Sequence, residues 1–151
     1  MQPIKFTRKS EILLGGFHAG SDIGTRWEKY EREEKAARLT NMVDSAGFER
    51  RLFLPEGIDI FTGVAVTDKN ILPHYELLVI PPAYYALFEI DCHADIDQQF
   101  KDIDDWLADH QEQYKRMKWN HDHADYMIIW SGRYAEENIC EIWVPLENIT
   151  N

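Results

Sequence analysis

The sequence has few of the features that mark several common protein classes. Its two cysteines, Cys92 and Cys140, are too few for a disulfide framework and form no CxxC pair. We expect each to be a small buried residue in a strand. No stretch approaches the roughly 20 apolar residues of a membrane helix, and the first residues lack the apolar run of a secretory signal. We therefore expect a cytoplasmic protein without membrane association.

Basic residues are also scarce. The chain has 16 Lys and Arg against 27 Asp and Glu, which gives a formal net charge of −11. Because binding to phosphate backbones requires clustered Lys and Arg, this balance argues against direct nucleic-acid binding. The sequence also lacks a glycine-rich phosphate loop, a nucleophile elbow and an HExxH motif, and we expect no cofactor.

One segment, "NHDHADY" (120–126), has the composition of a metal site. His121, His123 and Asp125 alternate there, but a zinc site needs further protein ligands at defined geometry. No motif places His93 or His110 beside them. We interpret the segment as a polar connecting loop and predict no metal.

Hydrophobic periodicity predicts two helices among several strands. The helices are expected over 21–41, with Ser21 and Asp22 as candidate N-caps, and over 95–116, which starts from an Asp cap. We predict a turn at "DSAGFE", followed by a short strand in "RRLFLPEG". The other predicted strands lie in 5–17, 58–67, 75–91 (with a kink at Pro81-Pro82), 126–134 and 138–146.

The order strand, helix, strand, strand occurs twice, over about 1–70 and 71–151. Helices separated by antiparallel strand pairs are typical of an α+β fold in which both main helices pack on one face of a sheet. A chain of 151 residues with 44% hydrophobic content suits a single domain with its own core. We therefore predict one domain built from two similar halves.

The last predicted strand, in "ENICEIWVPL" (137–146), carries an acid among apolar residues. Alternation puts Glu141 and Trp143 on one face, opposite a face that is entirely apolar. If the first face lines a cavity, Glu141 is a carboxylate among rings that requires a counter-charge, because burying it unpaired is costly. The residues alone leave both an exposed edge acid and a ligand-binding acid open. Glu89, in "LFEID", is a weaker second candidate.

Five sequence segments, in this order, resemble segments of a known family: "IGTRWEKYEREE", "GIDIFTGVAVTD", "IPPAYYALFEIDC", "DDWL" and "CEIWVPL". Together they resemble, over nearly the whole chain, the GyrI-like small-molecule-binding domain, the effector-binding domain of AraC-type and MerR-type drug-responsive transcription regulators. The resemblance implies a duplicated β-α-β-β module whose halves enclose an aromatic pocket with an acid inside. Because the resemblance extends over nearly the whole chain, we expect a stand-alone member without a DNA-binding domain.

The resemblance carries over to individual positions. The family's closing "E-[IV]-x-[IV]-P" phrase falls on Glu141 to Pro145, and its "[FY]-x-G-x-x-V" phrase on Phe61 and Gly63, where many members have Tyr instead of Phe. After Trp106, "ADHQEQYKR" replaces the family's usual turn. Tyr84 and Tyr85 follow the proline pair, and alternation does not decide which one reaches the pocket. The predicted ligand-binding residues are Glu141, Trp27, Phe61, Gly63, Tyr84, Trp106 and Trp143.

Three functions remain open from the sequence. The first is a multidrug-type binding protein for hydrophobic, cationic or amphipathic compounds, in which each ring adds roughly 0.5–2 kcal/mol of cation–π attraction. The second is a protein-interaction module, such as a modulator of gyrase. The third is a hydrolase of small electrophiles with Glu141 as general base, which we do not favour because no second acid–base residue is placed nearby. We expect a monomer or a weak homodimer.

Overall fold

The computed structural model describes residues 1–20, 22–91, 94–117, 125–130 and 139–147. Within these ranges the strands are β1 (Lys5–Lys9), β2 (Ile12–Gly20), β3 (Met42–Leu54), β4 (Gly57–Val66), β5 (Glu76–Ile80), β6 (Ala83–Asp91), β7 (Tyr126–Trp130) and β8 (Ile139–Leu146). A short 3-10 helix (Ile23–Thr25) precedes helix α1 (Glu28–Ala36), and helix α2 is Ile96–Asp109. The predicted α+β class is confirmed. No helix in the described ranges is long and apolar enough to span a membrane.

The strands form one antiparallel sheet in the order β1-β6-β8-β7-β3-β4-β2-β5. The element order strand, strand, helix, strand, strand occurs twice along the chain, so each half has one more strand than the sequence predicts. The first strand of each half pairs with the second strand of the other half, β1 with β6 and β5 with β2. The halves also meet at the central β3–β7 pair, so backbone hydrogen bonds join them at three places.

Two-residue links make this sheet curl. Ser10-Glu11 joins β1 to β2, and Pro81-Pro82 joins β5 to β6, although five strands lie between the joined strands in each case. Six strand spacings of a flat sheet span roughly 29 Å. Three consecutive Cα–Cα steps span at most about 11 Å. The two edges of the sheet must therefore approach each other, and the proline pair marks a crossing between edges instead of the predicted kink.

The curled sheet has an inner face on which neither helix packs. Seven of the eight strands contribute to one buried cluster there. Its members are Leu14, Phe48, Phe61, Ile80, Ala83, Tyr85, Leu87, Met127, Ile129 and Trp143. The inner face thus carries a packed, largely apolar core that is built from strands alone.

Both helices pack on the other side of the sheet, the outer face, as predicted. Tyr30 of α1 lies in a cluster with Phe17 and Val64. Ile103 and Leu107 of α2 pack on β6, β7 and β8 in a second cluster. The apolar face predicted for the last strand, with Ile142 and Val144, is the one covered by α2.

Several element boundaries differ from those expected. α1 begins only at Glu28, because Asp22 caps the 3-10 turn by accepting a hydrogen bond from the Gly24 amide at 2.9 Å. α2 ends at Asp109, well before 116. The turn predicted at "DSAGFE" is wrong: this segment belongs to β3, whose pairing with β4 is irregular between Met42 and Gly47.

A fully buried carboxylate fixes the entry to α1 on the outer face. Glu49 of β3 is 0% exposed. One of its oxygens accepts hydrogen bonds from Arg26 Nε at 2.6 Å and Trp27 Nε1 at 2.7 Å. The other accepts from Arg51 Nε and Nη2 at 3.1 and 2.8 Å. This compensates the burial of the charge and ties the start of α1 to the centre of the sheet.

A glycine pair allows β2 and β4 to approach each other closely. Gly16 and Gly63 face each other in the register of these strands. A Cβ added at Gly63 would lie 2.3 Å from the Gly15 carbonyl oxygen, and one at Gly16 would lie 1.9 Å from the Thr62 carbonyl oxygen. In both cases the clashing atom belongs to the backbone, so it cannot move unless a whole strand shifts.

We expect Glu49→Ala to lower the free energy of unfolding by about 3–5 kcal/mol, because it leaves the buried guanidinium of Arg51 without its carboxylate. Urea unfolding followed by circular dichroism measures this. Glu112→Ala, at an exposed position after α2, is the control and should change stability by no more than about 0.5 kcal/mol. Equal stability of the two variants would contradict the role given to Glu49.

We expect Gly63→Ala to destabilise the fold by about 3 kcal/mol, or roughly 6–12 °C in melting temperature, because the methyl group pushes β4 away from β2. Thermal unfolding by calorimetry tests this. The control is Gly24→Ala, whose added Cβ would meet only the Asp22 side chain at 3.3 Å. A melting temperature of Gly63→Ala as high as that of the control would show that the close approach is not required.

Candidate functional site

Two carboxylates face each other on the inner face of the sheet. Glu141 of β8 is half-buried and pairs in register with Glu89 of β6, which is exposed. Facing residues of antiparallel strands have Cβ atoms about 4.5–5.5 Å apart, and like charges in such positions repel. Neither carboxylate forms an ion pair or hydrogen bond with any residue that the structure describes. Among the described residues, nothing therefore compensates the negative charge of the inner face at this point.

An aromatic cluster continues the inner face along β8 from Glu141. Trp143 is 8% exposed, and its ring centroid lies 6.2 Å from that of Phe48 and 5.7 Å from that of Tyr85. Burial raises the pKa of Tyr85 to about 12, so its phenol is neutral at physiological pH. The acid pair is thus adjacent to a wall of neutral rings.

A cationic side chain lies over the same tryptophan. Lys9, the last residue of β1, places its Nζ 4.8 Å from the centroid of the Trp143 ring, within the range of a cation–π interaction. Both residues line a cavity of about 230 Å³ near the β1–β2 link. Its lining residues are Lys9, Ser10, Glu11, Ile12, Leu13, Val43, Phe48, Ala65, Val66 and Trp143.

A series of polar contacts among Arg50, Asp59, His18 and Glu76 crosses the other half of the inner face. Arg50 Nη2 lies 2.5 Å from Asp59 Oδ2, His18 Nε2 lies 4.0 Å from that oxygen, and His18 Nδ1 lies 3.2 Å from Glu76 Oε2. Burial lowers the pKa of Arg50, and the charge of Asp59 opposes this shift. The acids of this region, unlike Glu141 and Glu89, have basic partners within the chain.

The structure brings four of the predicted site residues to the inner face: Glu141, Trp143, Phe61 and Gly63. The other three lie on the outer face. Trp27 donates its indole N–H to Glu49. Trp106 stacks on His110 with 3.9 Å between the ring centroids, and Tyr84 lies under the Arg8 guanidinium. Of the two adjacent tyrosines, Tyr85 is the one that faces the inner cluster.

Sequence reasoning did not select Tyr85, Phe48 or Lys9. Both faces of β6 are apolar, so alternation alone does not show which face α2 covers. Phe48 lay in a predicted turn. Lys9 is part of the sequence "KFTRK", whose charges are typical of an exposed edge strand. No local signal places its ammonium over a ring 134 positions later in the chain.

A larger cavity, of about 490 Å³, lies on the outer face between α2 and the sheet. Its walls combine the rings of Phe53, Phe100 and Tyr126 with an ion pair of 2.7 Å between Arg116 and Asp104. Asp125 also lines it, and burial raises the pKa of this carboxyl. This cavity is separated from Glu141 by the sheet.

The remaining residues singled out in the sequence are placed only in part. His93, His121 and His123 lie outside the described residues, and no group of three metal-ligating side chains occurs among the residues described. Cys140 is fully buried, as expected, but it is disulfide-bonded and not a free thiol. Cys92 lies outside the described residues.

Comparison with known proteins shows what the fold is similar to. No family model and no curated protein sequence matches the chain. The solved structure of SAV2435 bound to tetraphenylphosphonium superposes with a TM-score of 0.72 at 14% identity, covering 98% of this chain and 95% of that one. A putative transcription regulation protein from Staphylococcus aureus MU50 superposes with a TM-score of 0.64 at 17% identity, covering 95% and 97%.

A third similar structure is EcmrR in a complex with DNA, with a TM-score of 0.65 and 15% identity. The match covers 96% of this chain and 57% of the EcmrR chain, so this chain corresponds to only part of that protein. At these identities the comparisons establish the architecture. The chain therefore shares the fold of these three structures, which confirms the α+β architecture that the sequence resemblance implies.

Proposed function

We propose that the chain binds small lipophilic cations on the inner face of its sheet, with Glu141 as the principal counter-charge. The observation that carries this proposal is the facing pair of Glu141 and Glu89, which has no basic partner in the described part of the chain. A bound cation relieves the repulsion within this pair. The adjacent ring of Trp143 adds a surface on which such a cation can pack.

The contrast with other acids of the sheet supports this reading of the pair. Glu49 accepts hydrogen bonds from three side chains, and Asp59 is paired with Arg50. Acids that only stabilise the fold are thus compensated within the chain. Glu141 is half-buried beside buried rings and has no such partner in the ranges that the structure describes, which is the arrangement that a ligand-binding carboxylate requires.

The structural comparisons add support from outside the chain. SAV2435, which shares the fold, has been solved with tetraphenylphosphonium. This cation has no hydrogen-bond donor, so its recognition depends on charge and apolar contact. On the inner face of this sheet, Glu141 and Glu89 supply the charge. Trp143, Tyr85 and other buried rings beside them supply the apolar contact.

We expect tetraphenylphosphonium to bind the wild-type protein and Glu141→Gln to weaken that binding about tenfold, because the substitution removes the charge while preserving the shape. Calorimetric titration and quenching of tryptophan fluorescence measure the affinity. Glu89→Gln should weaken binding by a smaller factor, since Glu89 is more exposed and better screened by solvent.

Two controls isolate the effect of the charge. Glu112→Gln removes an exposed acid elsewhere in the chain and should leave the affinity unchanged. Triphenylphosphine oxide, which is neutral and has similar rings, should bind the wild type and Glu141→Gln equally. If Glu141→Gln binds tetraphenylphosphonium as tightly as the wild type does, the proposed role of Glu141 is wrong.

A further inference from the structure

We propose that the cavity beside Trp143 binds an acidic group of the ligand, so that the preferred ligands are amphoteric aromatic compounds and not simple monocations. This inference rests on the proposed function and specifies its ligand class. The cationic end of such a ligand lies at Glu141 and Glu89, its ring lies along Trp143, and its carboxylate or other acidic group lies at Lys9.

The first observation is the environment of Lys9. Its side chain is half-buried, and the ammonium contacts the Trp143 ring. Within the described ranges it forms no ion pair or hydrogen bond, although the chain has 27 acidic residues. Glu11 lines the same cavity, but its carboxylate forms no ion pair with Lys9. Three N–H donors of one ammonium are therefore available at this cavity.

The second observation concerns Trp143 itself. Its indole Nε1 is buried and has no hydrogen-bond acceptor among the described residues. A buried donor without an acceptor costs free energy, and native proteins usually avoid this. Trp143 and Lys9 line the same cavity, and each carries a hydrogen-bond donor that has no acceptor among the described residues. A carboxylate supplies acceptors and the charge complementary to Lys9.

The third observation is the distance between the two ends of the proposed site, the acid Glu141 and the ring of Trp143 that Lys9 contacts. Glu141 and Trp143 are two residues apart on the same face of β8, about 6.8 Å along the strand. A benzene ring with a cationic group and an acidic group in para positions spans a comparable length. The cavity volume of about 230 Å³ corresponds to roughly eight water molecules and accommodates a carboxylate with part of its ring.

Lys9 also selects against ligands that carry only positive charge. Its ammonium already occupies one side of the Trp143 ring, so a second cation on that ring is repelled or must displace it. A carboxylate on the ligand turns this repulsion into attraction. Lys9 is thus a specificity-determining residue of the proposed site.

The test compares benzyltrimethylammonium, a monocation, with its para-carboxylate derivative, which is a zwitterion on the same scaffold. We expect the wild-type protein to bind the zwitterion about tenfold more tightly than the monocation.

Lys9→Met preserves the length of the side chain and should abolish this preference. Lys5→Met, on the same face of β1, is the matched control and should retain it. Trp143→Phe removes only the indole donor and part of the ring, and should reduce the preference a few-fold.

The outcomes separate this inference from the proposed function. The inference is overturned if the wild type binds both compounds with equal affinity, or if it binds neither. The proposed function is decided separately, by the effect of Glu141→Gln on the affinity for tetraphenylphosphonium. If Lys9→Met strengthens the binding of both compounds by the same factor, Lys9 only competes for the ring and the inference is also overturned. A Lys9-dependent preference for the zwitterion without any effect of Glu141→Gln would support the acidic-group site and refute the cation site.

Discussion

The curvature imposed by the two short links is the constraint on which the rest of the structure depends. Because Ser10-Glu11 and Pro81-Pro82 each connect strands that are separated by five other strands in the sheet, a flat sheet is geometrically impossible. The curled sheet leaves one face without helices, and side chains from seven strands pack into a core on that face. The facing glycines Gly16 and Gly63 allow the close contact of β2 and β4 within this curve. This inner core is therefore a consequence of how the chain crosses between the edges of the sheet.

The distribution of charge follows the two faces. On the outer face, Glu49 is fully buried and is satisfied by Arg26, Trp27 and Arg51, so its charge serves the fold. On the inner face, the acids near β2 and β4 have basic partners, whereas Glu141 and Glu89 have none among the described residues. Lys9 lies over Trp143 and has no carboxylate partner in the described part of the chain. Within that part, charges of both signs without partners thus lie along one aromatic surface, where a ligand with two charged ends would compensate both.

The strands and helices that depend on local pattern were predicted well. The strand 138–146 and the face of it that α2 covers follow from strict alternation, and α2 begins beside its Asp cap as expected. The division of residues 5–17 into two strands on opposite sides of the sheet was missed, because nothing in a short apolar run shows where its partners lie. The predicted site residues were also placed correctly only in part. Alternation correctly put Glu141 and Trp143 on one face of β8. Trp27 precedes α1 and Trp106 lies in α2, and helical periodicity does not specify which face of the sheet a helix covers.

The sequence by itself determined the class of fold, the positions of most strands and helices, and the presence of an acid beside a tryptophan on one face of the last strand. These features depend on residues close in sequence, whose periodicity and capping are local. Only the tertiary structure decided which acid is compensated and which is not, because the groups beside Glu49, Glu141 and Lys9 include residues far away in the chain: Arg26 and Trp27, Glu89, and Trp143. The pairing register and the crossing of the links bring these residues together, and both are set by long-range hydrogen bonding and burial. A glutamate is therefore fully hydrogen-bonded on β3, whereas on β8 it has no partner among the described residues.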